Sequence, residues 1–336
     1  MSGAGARIGV LGAGANGASI GADLIAAGHD VTLVEQWPAH VEAMRTDGLR
    51  IRMADRELHV HPHVIHLCEV AELRQTFDVV LVVMKAYDTG WATRLIAPHV
   101  AADGVVAAVQ NGMTTDAVAS AVGADRAIGT VIEVSSTMTV PGEIVRHTAP
   151  EASWFAVDAD PRAGRVADLL AASGRVERFA DIQSAKWMKL VSNSSLLVTT
   201  ALLGLPMLDA LDVPGMRALM IAAGDEAIAV GGARGHAVLP IFGLTADAVA
   251  DPGTVSQTLL DAVYGFVRPG ATTTVLQDWS KGRRSEADDL NGLVVAEGAR
   301  LGVPTPVNTR VVELARRVER GELRPDAANM PLLLGQ

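Results

Sequence analysis

The stretch Trp187–Leu197, WMKLVSNSSLL, places a lysine and an asparagine four residues apart inside a run of apolar and small side chains. On a helix that spacing puts Lys189 and Asn193 on one face, where both can address the same ligand. A lysine ammonium is a cation that can also release a proton. When a carbonyl carbon receives hydride, negative charge develops on the oxygen, and such a group lowers the barrier both electrostatically and as a general acid. The competing reading is a snorkelling side chain, its stem resting on apolar neighbours and its head in water.

A second chemical signal lies at the start of the chain. Gly12-Ala13-Gly14-Ala15-Asn16-Gly17 satisfies G-x-G-x-x-G between the apolar run RIGVLG and the helical ANGASIGADLIAAGH. The first glycine allows a tight turn, the second lets backbone approach a pyrophosphate, and the third permits close helix-to-strand packing. The pattern alone is weak. Its position at the first strand and helix, followed by a second strand DVTLVEQ, turns it into a dinucleotide site. Glu35 ends that strand, where a carboxylate accepts the ribose hydroxyls and repels a 2′-phosphate, so NAD is favoured over NADP. A solvent-facing Glu35, with Gln36 or Trp37 at the ribose, is the bland alternative. Lys85 in VVMKAYDT and Asn111 in VQNGM follow further strands, at the carboxyl ends where open parallel sheets hold ligands. A strand terminator and an Asn-Gly turn are their ordinary readings.

These residues need a scaffold. RIGVLG, ANGASIGADLIAAGH and DVTLVEQ make a strand, helix, strand unit with a right-handed crossover, and PAHVEAMRTDG is a second helix closed by a glycine stop. DVVLVVMK, GVVAAVQN and AIGTVIEV are continuous apolar runs suited to strands covered on both faces. The fold class is α/β: an N-terminal Rossmann doubly wound parallel sheet with a C-terminal all-helical domain. Beyond residue 179 strand-like runs give way to helical stretches at 181–203, 214–232, 254–266 and 286–302, with a last helix after VPTPVNT. The expected division is an NAD(P)-binding domain over 1–178 and a helical substrate and catalytic domain over 179–336. PGMRALMIAAGDEAIAVGG has enough small and apolar residues to pack on a copy of itself, giving a homodimer, or to serve as an internal core helix.

Composition narrows the partners. The 336 residues suffice for two cores, and a net charge of -10 without a basic stripe excludes a nucleic-acid role. No apolar segment approaches the roughly 18 residues of a membrane span. Cys68 is the sole cysteine and MSGAGARIGV lacks a signal-peptide pattern, so the expected location is the cytoplasm. His59, His61 and His63 recur at period two in HVHPHVIHLC and would share one strand face, with His66 and Cys68 beyond. Pro62 marks an edge or irregular strand and no other ligand is positioned, so a solvated edge strand is preferred and no metal is expected. His147 in IVRHTAP has no fixed role.

Taken in order, GVLGAGANG, VVMKAYDT, QNGMTT, KWMKLVSN, TTVLQDWSKGRRSEADDLNG and GVPTPVNTRVVELA span nearly the whole chain, and the series resembles the ketopantoate reductases, or 2-dehydropantoate 2-reductases. The resemblance implies a Rossmann domain, an all-helical domain and an active site in the cleft. It makes Lys189 the general acid that protonates the carbonyl oxygen as hydride arrives from the nicotinamide. Asn193 matches a substrate-contacting asparagine, Asn111 a residue positioning cofactor and substrate, and Lys85 a cofactor-side lysine. Glu286 matches a carboxylate near the substrate and the ammonium, and Thr274 falls where the family often has a serine that binds the substrate carboxylate. An opposite charge of this kind keeps a partly buried ammonium charged.

The chain departs from the family at three places. After Asn193 the family continues with a second asparagine followed by proline, where this chain has Leu197 and Val198, and a further family asparagine aligns near Met207. Apolar groups replace two amide donors, so a less polar or bulkier 2-oxo or 3-oxo compound is expected at a substrate site that includes Leu197. Glu35 stands near a basic residue typical of the NADPH-preferring family. The expected activity is NAD-dependent hydride transfer between a small hydroxy acid and an oxo acid. The alternatives are a non-catalytic NAD redox sensor, or a relative of the β-hydroxyacid, imine or opine dehydrogenases.

Overall fold

The computed structural model describes residues 5–336. The chain forms two compact units that divide between Ile182 and Gln183. The first holds strands β1 (Arg7–Leu11), β2 (Asp30–Glu35), β3 (Leu49–Arg52), β4 (Glu57–Val60), β5 (His63–His66), β6 (Phe77–Val82), β7 (Val100–Ala108), β8 (Ala127–Glu133), β9 (Ser136–Val140), β10 (Glu143–Arg146), β11 (Trp154–Asp158) and β12 (Arg175–Phe179). Its helices are α1 (Ala15–Ala26), α2 (Pro38–Asp47), α3 (Thr89–Ile96), α4 (Thr115–Val122) and α5 (Gly164–Leu170).

Eight strands form one sheet in the order β12-β11-β8-β7-β6-β1-β2-β5. All its pairs are parallel except β8 with β11. The winding runs outward from β1 through β2 to β5 and, on the other side, through β6, β7 and β8. The order therefore reverses between β1 and β6, which is the switch point of a Rossmann sheet. Ile8, Val10, Val79, Val80, Leu81 and Val82 are each 0 % exposed, as apolar runs covered on both faces require.

A second sheet, β4-β3-β10-β9, is absent from the sequence reading. Strands such as LRIR, ELHV and EIVR are four residues long, too short for alternation to stand out. This sheet packs on α1, whose opposite side meets β1 and β2. Every residue from Gly17 to Leu24 is consequently buried, which explains why ANGASIGADLIA has no polar face. Asp23 of α1 is 8 % exposed and pairs with Arg146 at the end of β10, itself 1 % exposed. Arg146 also donates to Thr148 O at 2.8 Å, Ser153 Oγ at 3.0 Å and Ser173 O at 2.7 Å, so the buried charge is fully engaged.

The histidine series is corrected by this topology. His59 lies in β4, while His63 and His66 lie in β5 of the other sheet, so they share no strand face. Pro62 has no N–H for a ladder and the pairing breaks there. Each strand is an edge of its sheet. His59 Nε2 lies 2.8 Å from Asp47 O, His63 Nδ1 3.0 Å from Thr32 Oγ1, and His66 Nε2 2.7 Å from Glu42 Oε1.

The second unit is built from α6 (Ile182–Ala201), which begins at its border, α7 (Met207–Leu211), α8 (Met216–Ala233), α9 (Val255–Tyr264), α10 (Thr274–Ser280), α11 (Asn291–Leu301), α12 (Pro306–Glu319) and α13 (Met330–Leu334). The short α7, α10 and α13 escape the sequence reading because two turns or fewer carry little periodicity. The helix placed after VPTPVNT begins inside that stretch, at Pro306. Proline suits the first helical position, and the Glu226 carboxylate of α8 accepts from Val307 N at 2.8 Å and Asn308 N at 2.9 Å, capping the end from another helix. The helix expected over 286–302 starts only at Asn291. In α8, a Cβ on Gly231 would overlap the Trp187 indole nitrogen, which donates to Ala227 O at 2.9 Å. At Gly231, at least one small position of this helix is thus used against α6. No helix among the described residues is long and apolar enough to cross a membrane.

Candidate active site

Because β1, β6 and β7 run parallel, with Leu11 opposite Val82 and Val82 opposite Ala108, the loops that follow them leave from one edge of the sheet. That edge collects the Gly12–Gly17 turn, Lys85 and Asn111. Gly12 has φ 94°, a conformation that side chains resist, and its N–H donates to Val34 O at 2.9 Å. A Cβ on Gly17 would overlap the Gly12 carbonyl oxygen, whereas a Cβ on Gly14 would meet nothing within 4 Å. The second glycine of the motif therefore faces open space. Gly14 caps α1 without a side-chain hydrogen bond, and the first turn carries no acidic residue. The N–H groups there are electropositive and take no side-chain acceptor among the described residues. Asn16 Oδ1 is buried with no partner among the described residues. Ala13 is buried and Ala15 half-buried beside them. These features fit a pyrophosphate.

Glu35 is 6 % exposed, contrary to a solvent-facing strand end, and its Oε1 accepts from Trp37 N at 2.9 Å. Two positioning residues escaped the sequence reading. His40 of α2 is 0 % exposed; its Nε2 lies 3.0 Å from Ala13 O, and its Nδ1 accepts from Gly142 N at 2.9 Å. The acceptor at Nδ1 fixes the proton on Nε2, and burial holds the ring below the usual histidine range. Gln110, buried beside Asn111, donates from Nε2 to Met84 O at 2.7 Å and to Thr89 Oγ1 at 2.9 Å. It ties the loop after β7 to the loop carrying Lys85. The signal for Gln110 was its adjacency to Asn111; for His40 there was none, since its partners are distant in sequence.

In the second unit, every α6 residue from Ser184 to Ala201 is buried except Leu197, which is half-buried. Lys189 is 8 % exposed and Asn193 2 %. The Lys189 Nζ lies 5.0 Å from the centroid of the Phe242 ring, so the ammonium rests on an aromatic face. Phe242 has φ 60° and is the one non-glycine residue with positive φ among those described. It shares with Gly243, φ 76°, the tip of a turn closed by Leu244 N to Ile241 O at 3.1 Å. For a bulky side chain this conformation costs about 1–2 kcal/mol. Phe242 was also missed, because a loop Phe-Gly pair has no periodic signature. One turn before Lys189, Lys186 is so enclosed that burial pushes its ammonium down to about 7.

Glu286 is 5 % exposed just ahead of α11. Asp289, three residues on, donates its N–H to Glu286 O at 3.0 Å, and burial, aided by the Glu286 charge, pushes its carboxyl up to about 6. Asn291 Nδ2 donates to Ser194 O at 2.9 Å and Asn308 Oδ1 at 2.8 Å, anchoring the Glu286 segment to α6 beside Asn193. Thr273 caps α10 by accepting from Leu276 N at 3.2 Å, leaving Thr274 Oγ1 buried and without a partner among the described residues. Met207, half-buried, opens α7 and accepts from Tyr264 Oη at 3.1 Å through its carbonyl.

The chain matches the ketopantoate reductase PanE/ApbA family over residues 8–159 and the C-terminal domain of that family over residues 181–319. It is 26% identical over 323 residues to a 2-dehydropantoate 2-reductase of Archaeoglobus fulgidus, across 94% of this chain and 98% of the relative. A PanE/ApbA family ketopantoate reductase from Ralstonia eutropha JMP134 has a TM-score of 0.80 at 27% identity, covering 94% of this chain and 99% of that one. The ternary structure of D-mandelate dehydrogenase with NADH and anilino(oxo)acetate has a TM-score of 0.81 at 19% identity with the same coverage, a likeness of fold. With both halves matched in order and the Rossmann sheet and helical unit in place, the chain belongs to the ketopantoate reductase PanE/ApbA family of oxidoreductases.

Proposed function

We propose that the protein is an NAD-linked oxidoreductase that interconverts a hydroxy acid and an oxo acid whose side chain is less polar than that of pantoate. Lys189 is its general acid and base. The observation that carries this reading is a lysine 8 % exposed on α6, its ammonium on the Phe242 ring and Asn193 one turn on. When bound, the nicotinamide supplies or accepts the hydride. Lys189 gives a proton from Nζ to the carbonyl oxygen as charge builds there and takes it back in the oxidising direction. Asn193 directs a hydrogen bond to the same ligand, and Glu286 is the carboxylate beside substrate and ammonium. Thr274 Oγ1, with no partner among the described residues, is available to the substrate carboxylate. Leu197, the one half-buried position of this α6 stretch, offers the substrate an apolar surface.

The Gly12–Gly17 turn, with Ala13, Ala15 and Asn16, would hold the pyrophosphate at the α1 N-terminus. Glu35 would take the adenosine ribose, and its charge opposes a 2′-phosphate, which supports NAD over NADP. Lys85 and Asn111 would complete the cofactor side. The test is reduced-nicotinamide absorbance with NADH and NADPH separately, against 2-dehydropantoate, 4-methyl-2-oxopentanoate and phenylglyoxylate. Turnover is expected with NADH, and Lys189→Ala should lower kcat about 10²–10⁴-fold. Near-normal turnover in Lys189→Ala would overturn the assignment of the acid. Tight NADH binding without turnover of any acid would point to a redox sensor instead.

A further inference from the structure

We infer that Phe242 is a positioning residue of the Lys189 site, its ring being the seat that holds the ammonium for proton transfer. The inference rests on the reading of Lys189 as acid and base. Three observations support it. The Nζ lies 5.0 Å from the ring centroid, within the roughly 6 Å over which a ring face attracts a cation. Phe242 is itself 8 % exposed, so water does not screen that attraction strongly. Its backbone is left-handed at φ 60°, in a turn where glycine or asparagine would sit without strain. A large aromatic residue at such a position points to a use for its ring.

The chemistry suits an acid that must also let go of its proton. A ring face attracts the ammonium yet has no lone pair to accept a proton, so the seat itself takes up none of its N–H donors. A carboxylate in the same place would bind the proton more tightly.

The chain has only four lysines, Lys85, Lys186, Lys189 and Lys281, so their side-chain methylenes can be followed singly by NMR in the full-length protein. With ¹³C-labelled lysine, the signal absent from Lys189→Arg should lie upfield through the ring current of Phe242. That shift should vanish in Phe242→Leu and persist in Phe242→Tyr. In the oxo-acid assay Phe242→Leu should lower kcat about tenfold while KM changes by less than about twofold, and Phe242→Tyr should recover most of the rate. A purely structural ring would instead give Leu and Tyr variants alike in kinetics once folded. The inference fails if the Lys189 signal shows no upfield shift, or if the Leu and Tyr variants are kinetically equal. If the unaltered protein turns over no acid, the functional reading fails, and the seat stands or falls on the Lys189 signal alone.

Discussion

The Asp289 carboxyl stays protonated up to about pH 6 through burial and the neighbouring Glu286 charge. In the unfolded chain an aspartate ionises near the ordinary value of 3.8, so between those values the native state binds more protons than the unfolded one. Its contribution to stability is complete at low pH and is lost as pH rises through about 6. Asp289→Asn should therefore melt at a higher temperature than the unaltered protein at pH 7.5, with the difference closing by pH 4, as calorimetry can check. Glu35 invites a cofactor test at the same scale. Glu35→Gln keeps an oxygen for the Trp37 N–H while removing the charge, and should narrow the ratio of NADH to NADPH efficiency by about tenfold, one favourable charge interaction in kinetic terms. An unchanged ratio of kcat/KM values would remove Glu35 from cofactor selection.

At the scale of elements, the Gly12–Gly17 turn is braced from behind. His40 joins Ala13 to Gly142, and Asp23 with Arg146 clamps α1 to the second sheet. His40→Ala should weaken NADH binding several-fold, measured by fluorescence titration, because Ala13 O loses its fixed donor. Since burial lowers the His40 pKa, the unfolded chain binds more protons as pH falls below about 6.5, and this part of the stability is lost on acidification through the depressed folded value. Asp23→Ala leaves the Arg146 charge buried without its counterion and should cost about 3–5 kcal/mol in denaturant unfolding. A loss under about 1 kcal/mol, the range of surface pairs, would show that Arg146 has found water or another partner.

At the scale of the whole molecule, 38 acidic against 28 basic residues give a negative field that an anionic dinucleotide would have to overcome locally. On the reading proposed above, the uncapped α1 N-terminus, with no acid in its first turn, would supply that local reversal. A ligand that binds only the native state stabilises by about 2.7 kcal/mol at a hundredfold excess over Kd. NADH should accordingly raise the melting temperature, and NADPH at equal concentration should raise it less. Equal shifts would argue against the cofactor preference drawn from Glu35.

Much of this protein is legible in its residues because the relevant rules are local. The glycine turn is a backbone requirement written in consecutive positions, the buried parallel strands are unbroken apolar runs, and Lys189 with Asn193 follows from helical spacing. The second sheet, the break between His59 and His63, and the capping of α12 by Glu226 were decided only by tertiary structure. So were His40, Gln110 and Phe242: His40 meets a residue 102 positions away, and Phe242 reaches Lys189 across a loop with no periodicity. Such contacts depend on which distant elements the core brings side by side, and no local pattern encodes that choice.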